Sequence, residues 1–227
     1  METMTGYSKI KRKQYADGFS LVEMAVVLVI LGFVISALVL PVTAQRDAGL
    51  LRKTENQLEL AQKALIGFAQ ASGRLPCPAT QASKGVEVPE GGGQCEPTAQ
   101  LLPAVTLGLH QLENGFAIDG WGQHIKYIVT QTSNSAFTTN TVANSMAYQG
   151  LSTLNPNDLQ VLNENNIVTI GSAVAIIYSD GANGIAQSRI GETGQFYNYI
   201  SADFDDIVTW ISPYVLYNAM IQAGQLP

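Results

Sequence analysis

From Phe19 to Leu40 the chain reads FSLVEMAVVLVILGFVISALVL, an apolar run broken by a single charge, Glu23. A helix of about 22 residues rises roughly 33 Å, the hydrocarbon thickness of a bilayer, so the run predicts a membrane-spanning helix over 19–41. Downstream the pattern narrows to a stripe. Leu51, Leu58, Ala61, Leu65 and Phe68 recur at helical spacing, while Arg52, Lys53, Glu55, Glu59 and Lys63 fall off it. That is the period of an amphipathic helix continuing in water. Gly73 offers a left-handed cap and Pro76 forbids continuation, so the helix is expected to stop near Ser72.

Beyond it the helical period is lost. The segment from about 75 to 103 carries Pro76, Pro78, Pro89, Pro97 and the run Gly91-Gly92-Gly93, and reads as an irregular loop. Asp119-Gly120-Trp121-Gly122 makes a turn into a strand over 124–130, where Ile125, Tyr127 and Val129 alternate with their neighbours. Thr130 to Thr141, rich in Ser, Thr and Asn, predicts a loop or mobile edge hairpin. Ala173 to Ser179 is a short apolar run closed by Asp180-Gly181 and fits a buried strand, with further strands at 196–200 and 207–211. Ser212 and Pro213 look like the cap and first-turn proline of a closing helix through Ala223. Residues 142–170 carry no decisive pattern. One long helix followed by strands is an α+β order.

The chain has 227 residues, 46% of them apolar and only 13% charged, which suits one ordinary domain besides the first helix and excludes a disordered or highly charged coiled-coil protein. Of the 12 basic residues, Lys9, Lys11, Arg12 and Lys13 crowd the start. Basic residues stay on the cytoplasmic side, so the N-terminus is expected inside and residues beyond Pro41 outside. A net charge of −6 argues against nucleic acid as a partner. A removable signal peptide is the competing reading of the start, with Val42-Thr43-Ala44 imitating its cleavage site. Its apolar part would be about 7 to 15 residues, shorter than this run, and it would not hold a carboxylate. Glu23 costs about 2.5 to 3.5 kcal/mol at mid-membrane on insertion scales, which calls for a partner or a task.

These residues carry a resemblance. Gly18-Phe19-Ser20-Leu21-Val22-Glu23, behind a basic leader and ahead of an uninterrupted apolar helix, resembles the cleavage and methylation segment of the type IV pilin and type II secretion pseudopilin superfamily. The resemblance implies removal of residues 1–18 by prepilin peptidase and N-methylation of Phe19. It also implies assembly through Glu23, paired with the Phe19 ammonium of a neighbouring subunit. Only a correctly staggered neighbour supplies that partner, so Glu23 would set register. The family's helix-bending proline commonly lies 22 residues into the mature chain; here Pro41 lies one further on. The fold it implies is a long N-terminal helix, half transmembrane and half periplasmic, packed on a small, mainly antiparallel sheet, with a short C-terminal helix here. Gly73-Arg74-Leu75-Pro76-Cys77-Pro78, Asp119-Gly120-Trp121-Gly122 and Asp205-Asp206-Ile207-Val208-Thr209-Trp210 further resemble a group of membrane-anchored prepilin-like proteins.

Three side-chain groups invite chemistry. Cys77 and Cys95 lie in one loop on the oxidising side of that topology and are expected as a disulfide, contributing roughly 3 kcal/mol in the chain-entropy model. The alternative, a cysteine nucleophile served by His110 or His124, needs a free thiol. The two histidines match no metal-ligand spacing. Asp180, Asn183, Asp205 and Asp206 follow strands in two acidic loops, and the major pseudopilins bind calcium in a comparable C-terminal loop; calcium wants six to eight oxygen ligands. Against that stands the ordinary use of Asp-Gly and Asn-Gly as turn formers.

The expected protein is thus a structural subunit, a minor pilin or pseudopilin with no enzymatic activity. It would reside in the inner membrane with residues 42–227 periplasmic and then pass into a pilus or pseudopilus. Its partners would be other pilin subunits, prepilin peptidase, the inner-membrane assembly platform and the lipid bilayer, and it would need no cofactor unless calcium binds. A binding or adhesion head of the same machinery and a tethered enzyme are the other two readings. The second lacks any Ser/His/Asp order, thiolate pair or phosphate loop.

Overall fold

The computed structural model describes residues 18–110, 112–141, 143–152, 154–190, 194–199, 201 and 204–227, with no side-chain description at 37–44, 189 and 190. The basic leader with Lys9, Lys11, Arg12 and Lys13, the strand position Ile200 and the acidic Asp203 lie outside the described residues. The elements are α1 (Leu21–Ser72), β1 (Lys126–Val129), α2 (Thr132–Ser135), α3 (Met146–Gln149), β2 (Gln160–Leu162), β3 (Val168–Ile170), β4 (Ala175–Ser179), β5 (Arg189–Ile190), β6 (Gln195–Tyr197), β7 (Ile207–Ile211) and α4 (Pro213–Gln222). The fold is α+β, with a long first helix and a short last one. The chain forms two compact units, one up to Arg46 and one from Asp47 to Pro227.

In the second unit the expected single sheet is two. One has strand order β1-β4-β7 and is antiparallel; the other has order β3-β2-β6-β5, with β2 and β6 parallel. The reason lies in β4, every residue of which is buried. Side chains alternate across a strand, so AIIYS must bury both faces. Ala175 and Ile177 join a core with Leu58, Ala61, Leu65 and Ala69 of α1, Tyr127, Ile211, and Leu216 and Met220 of α4. Ile176 and Tyr178 join a second core with Val208 and with Val161 and Phe196 of the other sheet. The first sheet is therefore a middle layer, covered by helices on one face and by the second sheet on the other. Strands β2 and β3 come from the stretch 142–170, which gave no sequence signal, and the strand expected over 196–200 is the shorter β6.

The buried stripe of α1 also differs from expectation. It runs Thr54, Leu58, Ala61, Leu65, Ala69, whereas Leu51 is 41% exposed and Phe68 is only partly covered. Phe68 instead lies under the guanidinium of Arg74, 5.1 Å from its ring centre. Thr54 replaces Leu51 because a turn sits on that end of the stripe. The Gly120 N–H donates to Thr54 Oγ1 at 2.9 Å, and that hydroxyl donates to the Leu50 carbonyl at 3.0 Å. A Cβ on Gly120 would run into the Leu50 carbonyl oxygen, so only glycine permits this approach. Asp119 ties the same turn to β4. Its Oδ1 accepts from the Trp121 and Gln123 N–H groups, and its Oδ2 from the Ser179 hydroxyl.

Helix α1 ends where its local chemistry requires. Gly73 takes φ +74° and its N–H donates to the Ala69 carbonyl at 2.9 Å. Arg74 then turns inward and its guanidinium grips Glu87 with both nitrogens, at 2.7 and 2.6 Å. Glu87 also accepts the N–H groups of Cys77 and Gly91. The pair orders the irregular loop, and Tyr127 of β1 fastens it further by donating to the Pro76 carbonyl at 3.0 Å. The Ser/Thr/Asn segment contains α2, a turn in which Ser133, Asn134 and Ser135 all adopt positive φ.

Candidate functional site

The start of the first helix holds the chemistry singled out by sequence. Gly18, Phe19 and Ser20 are non-helical and exposed, and α1 begins at Leu21. Glu23 is the third helical residue. Its Oε2 accepts a hydrogen bond from the Ser20 N–H at 3.2 Å, and the Met24 N–H donates to the Ser20 carbonyl at 3.2 Å. Ser20-Leu21-Val22-Glu23 thus has the spacing of a capping box, whose carboxylate reaches back to an otherwise unpaired donor. Glu23 also stands at the positive end of the helix dipole, which favours its charge. The capping role was legible in S-x-x-E, but Glu23 drew attention as a membrane charge and, through the resemblance, as an assembly residue.

The residues after it are uncovered. All the large apolar side chains from Leu21 to Ile35 are exposed, from Val27 at 48% to Leu21 at 86%. Apolar surface that contiguous marks an interface with lipid or with another chain. Among the described residues no helix is long and apolar enough to cross a membrane. The apolar part with described side chains, Leu21 to Ser36, rises only about 24 Å.

The family described as the prokaryotic N-terminal methylation motif matches residues 13–39. The chain carries a prepilin-type N-terminal segment. No curated protein and no solved structure matches the chain. The motif is the signature of type IV pilin and pseudopilin segments, and it implies processing by prepilin peptidase and association with other pilin subunits. Within it, Gly18 and Phe19 flank the exposed peptide bond that such a peptidase would need to reach, and Glu23 lies one helical turn beyond.

Outside the prepilin segment, the sequence-selected residues fall into two places. Cys77 and Cys95 form a disulfide, with Cα atoms 5.3 Å apart, and no described cysteine is free. This removes the thiol that a cysteine nucleophile would need. His124 packs against the Phe116 ring, centroids 4.6 Å apart, in a structural role.

The four calcium candidates do come together, but their oxygens are largely engaged. Asp180 Oδ2 pairs with Lys126 Nζ at 2.5 Å. Both oxygens of Asp205 accept from Asn183, one from its N–H at 2.9 Å and one from its amide at 2.6 Å. Asp206 Oδ2 accepts the N–H groups of Gln187 and Ser188, at 2.8 and 2.6 Å. The two loops are therefore clasped to each other by the acids themselves. Two oxygens have no partner, Asp180 Oδ1 and Asp206 Oδ1, and both are buried. Burial raises the Asp206 carboxyl above its ordinary range, the Ser188 and Gln187 N–H groups oppose that, and the Asp180 charge adds to it. A lysine already neutralising one carboxylate does not fit a calcium cage, and among the described residues no three His, Cys, Asp or Glu side chains are grouped to hold a metal.

Proposed function

We propose that the chain is a structural subunit, a minor pilin or pseudopilin, of a type IV pilus or type II secretion pseudopilus. The observation that carries this reading is the methylation motif over 13–39 coinciding with a helix start whose apolar side chains are left uncovered by the described residues. Residues 19–41 then anchor the protein in the inner membrane with the N-terminus cytoplasmic, and residues 42–227 lie in the periplasm. Prepilin peptidase cleaves after Gly18, Phe19 is methylated, and the assembly platform extracts the subunit into a helical filament. Glu23 takes the Phe19 ammonium of the neighbour. Head-to-tail contacts of this kind are heterologous and give an open helix when the rotation does not close. The role is mechanical rather than catalytic, and needs no cofactor.

The capping geometry supports the pairing. Only Oε2 of Glu23 holds the Ser20 N–H, so Oε1 is left for an incoming ammonium while the helix start stays capped. Intact mass and N-terminal sequencing of protein from the native host test the reading. A chain starting at Phe19 with a methylated amine is expected; one starting at Gln45 would mean signal-peptidase cleavage and would end it.

A further inference from the structure

The loops that follow β4 and precede β7 are wrapped on each other by their acids, and a lysine lies with them. Asn183 donates to Asp205 from both its backbone N–H and its amide. A Cβ on Gly181 would fall 2.3 Å from the Asp205 carbonyl oxygen, so the two backbones are in contact. Asp206 closes the other end through the Gln187 and Ser188 N–H groups. Asp119 joins from a third turn through the Ser179 hydroxyl, which itself accepts the Gly181 N–H. Asp119, Asp180 and Asp206 are each at most 6% exposed. Carboxylates buried together at one end of a sheet call for a positive charge. Of the described ion pairs only one reaches them, Lys126 Nζ at 2.5 Å from Asp180 Oδ2.

Lys126 is built into this place. It stands opposite Tyr178 in the register of β1 with β4, and Asp180 lies two residues on. Its ammonium is 5.6 Å from the centre of the Tyr178 ring. The strand thus fixes the Cα, the ring guides the head, and Asp180 holds it. A tethered ammonium acts at a high effective concentration, so a free cation must displace it to bind. Calcium, which the resemblance implies for loops of this kind, asks for six to eight oxygens. It meets a carboxylate already neutralised, both Asp205 oxygens engaged by Asn183 and one Asp206 oxygen engaged by backbone. Yet Asp180 Oδ1 and Asp206 Oδ1 are buried with no hydrogen-bond partner. A cluster offering more buried acceptors than its one ammonium engages has the donor excess of a divalent-cation site held by a monocation.

We propose that the Lys126 ammonium takes the place of a divalent cation between the acidic loops, so that the unit from Asp47 to Pro227 folds without calcium and becomes calcium-dependent once that ammonium is removed. The property belongs to the second unit alone and holds whatever the chain assembles into.

Thermal unfolding of the full chain in detergent, with a chelator or with about 10 mM calcium chloride, tests this; the affinities of weak extracellular calcium sites lie at about 0.1 to 1 mM. Wild type should unfold at the same Tm in both. Lys126→Met keeps the stem and removes the charge, and breaking a buried pair from one side should lower its Tm in chelator by about 6 °C or more. Calcium should restore at least half of that loss, and magnesium, which gives up its waters reluctantly, little of it. Equilibrium dialysis with radioactive calcium should find a bound ion in Lys126→Met and none in wild type. Lys126→Arg should behave like wild type. Asp180→Asn added to Lys126→Met should recover stability in chelator and abolish the response to calcium. If Lys126→Met does not fold in chelator, its refolding yield with and without calcium gives the same reading. Calcium binding to wild type, a calcium-dependent Tm in wild type, no calcium binding to Lys126→Met, or equal recovery with magnesium, as charge screening alone would give, would overturn the proposal.

Discussion

The Glu23 carboxylate and the Ser20 N–H, 3.2 Å apart, close the first turn of α1 within a single subunit. Glu23 therefore has two separable contributions, a cap that any hydrogen-bond acceptor can supply and a charge that only a carboxylate can. Glu23→Gln keeps the first and loses the second; Glu23→Leu loses both. A lost cap costs about 1 kcal/mol, whereas under the proposed pairing leaving a neighbour's ammonium without its buried partner would cost about 3 to 5 kcal/mol. Both variants are expected to reach the membrane and be processed, with Glu23→Leu nearly absent from filaments and Glu23→Gln intermediate. Quantitative immunoblots of membrane and sheared-filament fractions decide this, and wild-type incorporation of Glu23→Leu would refute the register role.

The disulfide gives a second prediction. Cys77 and Cys95 close a loop with a sequence separation of 18, for which the chain-entropy model assigns about 3 kcal/mol. Cys77→Ser or Cys95→Ser should lower the unfolding free energy of the unit from Asp47 to Pro227 by about that amount. Alkylation of native protein without reductant should label neither cysteine; labelling of both would show that the pair is not formed in the cell.

Arg74 and Glu87 offer a third. Their side chains are 6% and 4% exposed, and Glu87 also holds two backbone N–H groups of the disulfide loop. Breaking a buried pair from one side strands the other charge and typically costs about 3 to 5 kcal/mol. Arg74→Met should thus be at least as harmful as losing the disulfide. Adding Glu87→Gln to it should recover part of the loss, because an amide no longer needs a counter-charge. Denaturant unfolding of both single variants and the double variant closes the cycle; additive losses would mean the two side chains are not coupled.

What the sequence made legible here was local. The end of α1 at Gly73, strand β7 at Ile207–Ile211 and the Ser212-Pro213 start of α4 all rest on signals within a few residues, and all are in the structure. What it hid depends on distant partners. Thr54 joins the buried stripe of α1 only because the Gly120 turn, 66 residues on, satisfies its hydroxyl. The short strand β3 pairs antiparallel with β2, and β2 is joined on its other side to β6 in parallel, a pairing between distant segments that leaves no local signal. AIIYS announced a buried strand, yet the second sheet that buries its other face was invisible. The Arg74–Glu87 pair was hidden for the same reason, since neither residue's charge has meaning until the loop folds back.

The last prediction concerns Asp206, whose carboxyl is buried with one oxygen unpaired. Asp180, itself paired with Lys126 of β1, faces it with a like charge, and Ser188 and Gln187 supply its N–H donors. Burial raises its folded pKa above the ordinary value of about 3.8. Between those two values the unfolded chain has released the proton while the folded chain keeps it, so stability falls as pH rises through the window and then levels off. Asp206→Asn escapes that loss. Its carbonyl oxygen can still accept both N–H groups, and its neutral amide sets no charge against that of Asp180. The variant is therefore expected to match wild type near pH 3 and to exceed it at pH 7, by about 1 kcal/mol, the order of a buried polar atom left unsatisfied. In a protein of this size that is a rise of about 2–4 °C in Tm. Thermal unfolding of both proteins at pH 3, 5 and 7 measures the difference directly, and other titrating groups cancel in the comparison. A constant offset across pH would show that packing, rather than the charge, separates the two.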